Sequence, residues 1–421
     1  MIKVSIITLG CKVNQVESEQ IGDALENLGF SVSMGLSESD IYIINTCAVT
    51  NEAERKSRNI ITKVLKLNKN ASIYVCGCSS ENNADNFKKC DNVKKIIGTK
   101  NKIQLVNVIK DDFISEIKPF EPKNCDNIIR VSERTRADLW VQNGCNNFCT
   151  YCLIPYLRGR EISFPLENVK KELSRLEKIA SEIVITGINL SAYGKDLSDK
   201  NDGLIEIARL FRNSPSRFRF SSLEVNIISD EFLKELSSFD NFCEQFHLSL
   251  QSGSNNTLKS MNRHYTKEDY LEKVNLIRKY FPNAGITTDI IIGFPTESEE
   301  DFEESLEFVK TVNFSEMHIF PYSKRNGTVA EKFKMIAKNI PERVKKMTEI
   351  ALKNKYDFIN NNIGITHEVI IENQKNGYYL AHTKNFILCY IKSNETLKPN
   401  SKYNVKILSN FEDGAFAEII K

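Results

Sequence analysis

The sequence predicts an α/β protein in three parts: an N-terminal open parallel sheet, a central partial (β/α)6 barrel and a small C-terminal β-barrel. Three observations predict it. Apolar, β-branched runs alternate with helical periodicity from residue 4 to 109, and the alternation resumes from 138 to 320. Strict alternation implies parallel strands covered by helices. Beyond residue 366 the helices stop, and five short strands with polar turns suit a barrel of the oligonucleotide-binding type. At 421 residues the chain is too long for one core, so two or three domains are expected.

In the first domain, taken as 1–112, strands are expected over 4–9, 40–45, 72–76 and 94–97, and helices over 16–28, 51–67, 79–90 and 100–109. Residues 113–137 lose periodicity and contain Pro119, Pro122 and a polar run around Cys125, a free thiol in a linker. Arg130, Arg134 and Arg136 cluster before the next strand, as solvated charge or as phosphate contacts. In the second domain, 138–335, strands are expected over 138–142, 182–186, 217–221, 244–250, 285–292 and 316–320. Helices fall over 166–179, 204–212, 230–237, 267–280 and 299–312. Function in such a barrel sits on the loops after the strands. A basic helical connector, 336–362, leads to the last domain, 363–421, with strands over 367–372, 377–381, 385–391, 402–408 and 415–420. Tyr378, Tyr379, Phe386 and Tyr390 there either fill the core or offer stacking faces.

A hydrophobic fraction of 41% is enough for well-buried cores, and a net charge of +2 does not by itself announce a nucleic-acid partner. No apolar stretch approaches ~18 residues and the N-terminus reads as a strand, so a cytoplasmic protein without a membrane segment is expected. Eleven cysteines in such a chain are metal ligands or free thiols rather than disulfides.

Their placement carries the chemistry. Cys145, Cys149 and Cys152 form C-x3-C-x2-C in one loop, with no fourth cysteine or histidine close by. A closed structural zinc site takes four ligands. Three thiolates suit a [4Fe–4S] cluster that keeps one iron open. In the first domain Cys11, Cys47 and the Cys76-Gly77-Cys78 pair follow three successive strands, at the carboxyl edge where an open sheet binds ligands. Cysteines are common buried hydrophobes, but core cysteines scatter along elements, as Cys90, Cys243 and Cys389 do. Cys78 follows a glycine, as Cys11 does, and is taken as the third ligand, with Cys76 turned back into the sheet. This would be a second three-cysteine cluster with an open iron. The five histidines show no metal spacing and are read as ordinary core or surface residues.

The loops after the central strands hold polar residues and glycines: Thr186–Asn189, Ser221–Glu224, Ser249–Ser254, Gly293–Glu297 and Pro321–Ser323. Together they describe a pocket for a polar cofactor. Gly293-Phe294-Pro295-Thr296-Glu297 is not a P-loop, because no Gly-Lys-Ser/Thr follows. Arg55 and Arg58 on the 51–67 helix, Arg158 and Arg160 after the cysteine loop, and Arg343 and Lys346 in the connector are the candidate contacts to RNA phosphate; each also reads as solvated charge.

At this point the chain resembles a known family. The C-x3-C-x2-C loop is similar to the signature of radical S-adenosylmethionine (SAM) enzymes. The three-cysteine domain before it and the small barrel after it resemble the radical SAM methylthiotransferases, the barrel matching the TRAM domain. Leu9-Gly10-Cys11-Lys12-Val13-Asn14-Gln15, Asn45-Thr46-Cys47-Ala48-Val49-Thr50, and Ser249–Gly253 followed by Met261-Asn262-Arg263 resemble the branch acting on N6-threonylcarbamoyladenosine in tRNA. The isopentenyladenosine branch has Gly-Cys-Gln-Met-Asn at the first cysteine, where this chain has Lys12-Val13. The segment Cys76–Glu81 departs from the family's usual Gly-Cys-x-Ala-Gln, and the family pattern aligns with Cys78.

The resemblance implies replacement of a hydrogen on adenine carbon 2 by a methylthio group, next to the anticodon at position 37. That C–H is neither acidic nor electrophilic enough for side-chain chemistry, so a cofactor must carry the step. The implied cofactors are SAM and two [4Fe–4S] clusters, with a 5′-deoxyadenosyl radical as hydrogen abstractor. A one-electron reductant and a sulfur donor are implied partners. Tyr151 would lie against the SAM adenine, and Gly187, Asn189, Ser222, Glu224, Gln251 and Gly293 would line the SAM pocket. The adenosine lies in a single-stranded tRNA loop, where it can be splayed out and stacked. Alternatives are the same chemistry on isopentenyladenosine or a ribosomal-protein aspartate, or a non-catalytic iron–sulfur protein that binds RNA or relays electrons.

Overall fold

The computed structural model describes residues 1–113, 135–197 and 203–420. Most of the expected linker, with Pro119, Pro122, Cys125, Arg130 and Arg134, lies outside the described residues.

The first sheet contains β1 (Lys3–Thr8), β2 (Ser31–Met34), β3 (Ile41–Thr46), β4 (Ser72–Gly77) and β5 (Val93–Ile96), all parallel, in the order β2-β1-β3-β4-β5. Side-chain alternation along β3 explains its two covered faces. Ile41 and Ile43 join Ile21, Leu25 and Leu105 in one core, while Tyr42 and Ile44 join Ile61 and Val64 in the other. Helix Asn51–Leu67 has the expected bounds, because the Thr50 hydroxyl caps it by accepting from the Ala53 N–H at 3.1 Å. Strand β2 was not expected: it is a short edge strand whose serines break the apolar run. The single helix expected over 79–90 is two, Cys78–Asn82 and Asp85–Lys88.

The central half-barrel follows. Its strands are β6 (Arg136–Asn143), β7 (Ile162–Ser163), β8 (Glu182–Gly187), β9 (Arg217–Phe220), β10 (Ser222–Leu223), β11 (Gln245–Leu248), β12 (Gly285–Ile292) and β13 (Glu316–Pro321). They pair as β7-β6-β8-β9 and β10-β11-β12-β13, joined by a parallel bridge between Phe218 and Phe242, and only β7 runs antiparallel to its neighbour. One set of alternating residues, among them Phe218, Phe220, Phe246 and Ile290, packs in the large core with the helices. The opposite set is polar: Glu182, Arg217, Arg219, Gln245, His247 and Asp289.

The C-terminal strands β14 (Thr366–Lys375), β15 (Tyr378–Thr383), β16 (Leu388–Ile391), β17 (Lys402–Phe411) and β18 (Gly414–Ile419) close into a barrel ordered β14-β15-β16-β18-β17. Val369, Ile371, Ala381, Cys389 and Val405 fill it.

Glu182 joins the two barrels. Its carboxylate accepts from Arg136 Nε (2.8 Å), Arg219 Nε (2.9 Å) and Arg217 Nη2 (2.7 Å). Arg217 also donates to the His382 carbonyl at 2.9 Å, Arg136 to Glu372, and the Phe386 ring lies under Arg136 and Arg219. Burial opposes ionisation of Glu182, but three guanidinium groups outweigh it and hold the carboxyl well below the usual range. A depressed carboxylate stabilises the fold above its unfolded pKa of about 4.3 and loses that contribution as pH falls toward the folded value. Glu182→Gln is therefore expected to cost on the order of 3–5 kcal/mol near neutral pH by chemical denaturation. The gap to the unmutated protein should narrow as pH drops below about 4; a gap independent of pH would contradict this assignment.

Candidate active site

The carboxyl ends of β1, β3 and β4 bring Cys11, Cys47 and Cys78 together. Two glycines make the approach possible. Gly10 has φ +103°, and a Cβ there would lie 2.9 Å from the Cys47 sulfur. Gly77 has φ +107°, and a Cβ would collide with the Thr46 carbonyl. Thr46 Oγ1 donates to the Cys76 carbonyl at 2.7 Å and accepts from the Ser80 N–H at 3.1 Å, which fixes the turn that presents Cys78. Burial pushes the Cys47 thiol up to about 11, and negative charge on Cys78 and Cys11 adds to the shift. Burial also raises Cys78, against the opposing charges of Arg158 and Lys102. The three sulfurs thus act on one another. Cys76 turns the other way, fully buried in the sheet core.

A buried ionic cluster ties this edge to the central barrel. Glu17 accepts from Lys102 Nζ at 2.6 Å and from both terminal nitrogens of Arg158 at 3.1 and 3.0 Å. Asn14 Oδ1 accepts from Arg158 at 2.6 Å, and Asn45 Oδ1 from Lys102 at 3.0 Å. Arg158 is thus not an exposed cation awaiting RNA phosphate: its side chain is 1% exposed and satisfies a carboxylate of the other domain. Arg325 makes a second bridge, 3.2 Å from Glu54 and bonded to Asn51.

Both arginines act on the thiols, yet Arg158 Nε and Arg325 Nε and Nη2 are buried without a hydrogen-bond partner among the described residues. Unmet donors around three sulfurs are the environment an anionic thiolate-bound cluster requires. Metal binding would also release the protons that burial holds on these thiols.

The second set lies in the loop after β6. N–H groups of Asn147 and Ile154 point at the sulfurs of Cys145 (3.5 Å) and Cys152 (3.4 Å), and Arg263 Nη1 lies 3.4 Å from the Cys149 sulfur. Burial pushes Cys145 up to about 11 and Cys152 up to about 12, while those N–H groups favour the thiolates. The segment Met261–Arg263 holds the loop. The Met261 carbonyl accepts from Thr150 N at 3.0 Å, Asn262 Nδ2 donates to the Asn147 carbonyl at 3.1 Å, and Arg263 bonds Glu224 and, at 3.1 Å, the Ser249 carbonyl. The two cysteine sets approach through an apolar contact: Ala48 and Cys78 pack against Leu153 and Leu157.

A cleft of about 280 Å³ opens beside Cys149, lined in part by Asn147, Asn189, Glu224, Asn262 and Arg263. Of the residues expected around SAM, Asn189 and Glu224 reach it. Tyr151 packs edge-on against Phe294, with Met261 and Ala330. Gly187, Ser222, Gln251 and Gly293 are not on its wall. Gly187 lies against Gln142, whose side chain accepts from the Asn189 N–H at 2.7 Å. Ser222 is exposed on β10. Gln251 continues the sheet, its N–H donating to the Asp289 carbonyl at 2.9 Å. At Gly293 a Cβ would fall 2.6 Å from Ile340, so packing under helix Ile340–Asn360 explains the residue.

Arg55, Arg58, Arg160 and Lys346 are exposed. Arg343 is not. It is buried against Glu297 (2.8 Å) and Glu299 (2.7 Å), which removes it from the candidate RNA contacts. The histidines also need correction. Strands β11, β12 and β13 gather His247, Asp289 and His318 with ligand atoms within 4.8 Å, a grouping that spacing along the chain does not show. Burial works against ionisation of Asp289, but hydrogen bonds from both imidazoles hold its carboxyl well below the usual range.

A family model described as the radical SAM superfamily matches residues 141–309, and one described as uncharacterized protein family UPF0004 matches 3–98. The cobalamin-dependent SAM radical enzyme OxsB shares the fold at TM-score 0.52 and 13% identity, over 82% of this chain and 56% of its own. The methyltransferase TsrM from Kitasatospora setae does so at 0.52 and 13%, over 76% and 75%. Fold and three-cysteine loop define a radical SAM protein.

The threonylcarbamoyladenosine tRNA methylthiotransferase MtaB of Bacillus subtilis is 33% identical over 100% of this chain and 98% of its own. Its Aquifex aeolicus counterpart is 37% identical over 86% and 91%. A tRNA-2-methylthio-N(6)-dimethylallyladenosine synthase of Clostridium tetani is 38% identical over 83% and 80%. The chain belongs to the radical SAM tRNA methylthiotransferase family. The family implies SAM and a [4Fe–4S] cluster. Among the described residues, no helix is long and apolar enough to cross a membrane.

Arg158 and Arg160 sit two positions apart in opposite environments. Arg158→Ala is expected to cost on the order of 3 kcal/mol by chemical denaturation, because Glu17 and Asn14 lose a buried partner. Arg160→Ala should stay within about 0.5 kcal/mol. Equal effects would contradict the ionic bridge.

Proposed function

We propose that this chain adds a methylthio group to carbon 2 of N6-threonylcarbamoyladenosine, next to the anticodon at position 37 of tRNA, using two [4Fe–4S] clusters. The observation that carries the reading is the pair of three-cysteine sets on two domains whose contact is locked by Glu17 and Arg158. The Lys12-Val13 motif favours threonylcarbamoyladenosine over the isopentenyl substrate, while relatives named for either substrate match this chain at similar identity. Residues 1–112, 138–335 and 363–421 are taken as its domains.

When bound, the clusters and SAM supply one-electron chemistry able to break an aromatic C–H and to deliver sulfur and methyl. The protein's part is placement. Cys145, Cys149 and Cys152 would hold one cluster, and Cys11, Cys47 and Cys78 the other, with three thiolates for each. Asn189 and Glu224 offer polar groups to SAM in the cleft beside Cys149, with the Tyr151 ring behind that loop. Arg158, Arg325 and Lys102 surround the first set with positive charge. Arg58 and Arg160 are exposed cations that could meet tRNA phosphates, as could Arg55 and Lys346 in exchange for their surface pairs with Glu52 and Glu303. A one-electron reductant and a sulfur donor complete the reaction, and a tRNA-modifying role places the protein in the cytoplasm.

The test is anaerobic incubation of the reconstituted, reduced protein with SAM and RNA hairpins carrying either modified adenosine. Methylthiolation of the threonylcarbamoyl hairpin is expected. Cys78→Ala should keep 5′-deoxyadenosine formation, lose methylthio product and lose about half the bound iron. Cys149→Ala should lose both activities, and Cys76→Ala neither. Product only on the isopentenyl hairpin would overturn the substrate assignment, and unchanged iron in Cys78→Ala the second cluster.

A further inference from the structure

A cavity of about 580 Å³ lies between the first sheet, the central barrel and the C-terminal barrel. Its walls include Cys11 and Lys12 on one side, Asp138 and Arg219 on another, and Asn373 and Phe386 on the third. It therefore starts at a member of the first cysteine set and runs under the central strands.

Lys12 opens helix Lys12–Asn27 and is partly buried. Its ammonium makes no hydrogen bond among the described residues and feels the neighbouring charges only at a distance. The charges acting on it are Arg219, Asp138, Arg136 and Glu182. On the cavity floor Arg136, Arg217 and Arg219 converge on Glu182, with Glu372 beside Arg136 and Glu368 4.0 Å from Arg217, so the guanidinium charge there is met by carboxylates. Among the described residues the recessed Lys12 ammonium donates to no carboxylate, and an anionic group entering the cavity would supply that partner. The cavity begins at Cys11, so a group bound beside that cysteine can carry an anion into it.

We propose that Lys12 is a specificity-determining residue that binds a carboxylate on the substituent of the nucleoside being modified. The inference rests on the functional reading above. In N6-threonylcarbamoyladenosine the carboxylate lies at the far end of the N6 substituent, which extends into the cavity when the purine faces the first cysteine set. An isopentenyl group has no charge to offer there. Lys12 supplies up to three donors to one carboxylate.

Binding of three RNA anticodon hairpins to the full-length reconstituted protein tests this, by fluorescence anisotropy. One carries threonylcarbamoyladenosine, one a methylcarbamoyl analogue without the carboxylate, and one plain adenosine. The unmutated protein should bind the first about tenfold or more tighter than the second, as for a charge-assisted hydrogen bond. Lys12→Gln should bring that ratio close to one and leave binding of the analogue unchanged; Lys12→Arg should keep most of it. Equal weakening of all three hairpins by Lys12→Gln would mean a backbone phosphate contact, and no weakening would mean no contact; either overturns the proposal. Iron content and circular dichroism verify that the variants are folded. Product is read in the same samples. Discrimination without methylthio product would sink the functional reading and leave the carboxylate site standing. Product without discrimination would do the reverse.

Discussion

One buried carboxylate organises the molecule. Glu17 sits on the first helix of the N-terminal domain and is shared by Lys102 from the same domain and Arg158 from the central one. Charges buried this deeply are tolerable only when paired and hydrogen-bonded, and Asn14 and Asn45 complete the pairing. Arg158 closes the short helix Ile154–Arg158, which starts two residues after Cys152. Cys11 directly precedes the helix that carries Glu17. One ionic contact therefore sets the position of one cysteine set against the other.

The electrostatics of the two sets differ accordingly. Around Cys145, Cys149 and Cys152 the sulfurs meet backbone N–H groups and the single guanidinium of Arg263. Around Cys11, Cys47 and Cys78 they meet positive charge from the other domain, in Arg158 and Arg325, besides Lys102. The first domain alone would leave its sulfurs less compensated. Its chemistry is thereby coupled to docking on the barrel, and the cavity between them exists only in the docked arrangement.

What was legible in the sequence was local. A strand followed by a glycine and a cysteine is visible in a few residues, and the parallel order of the strands does the rest. The helices Asn51–Leu67, Lys267–Tyr280 and Glu299–Val312 matched because caps and periodicity agree, through Thr50, Thr266 and Ser298. What was not legible was pairing across distance. Arg158 and Arg343 look like free cations until Glu17, Glu297 and Glu299 appear beside them. The His247–Asp289–His318 group needs three strands in register. Arg263 was visible as part of Met261-Asn262-Arg263, but its role emerges only with the Cys149 and Glu224 contacts. The close packing of Gly293 under Ile340 is likewise a long-range contact that the local sequence does not show.

The nucleosides of tRNA themselves report which base the protein modifies. Total tRNA from cells with and without the gene would be digested to nucleosides and compared by mass spectrometry. 2-Methylthio-N6-threonylcarbamoyladenosine is expected to disappear without the gene, its unmethylthiolated precursor to accumulate, and the plasmid-borne gene to restore it. Persistence of that nucleoside, with loss instead of the 2-methylthio-isopentenyl derivative, would contradict this assignment.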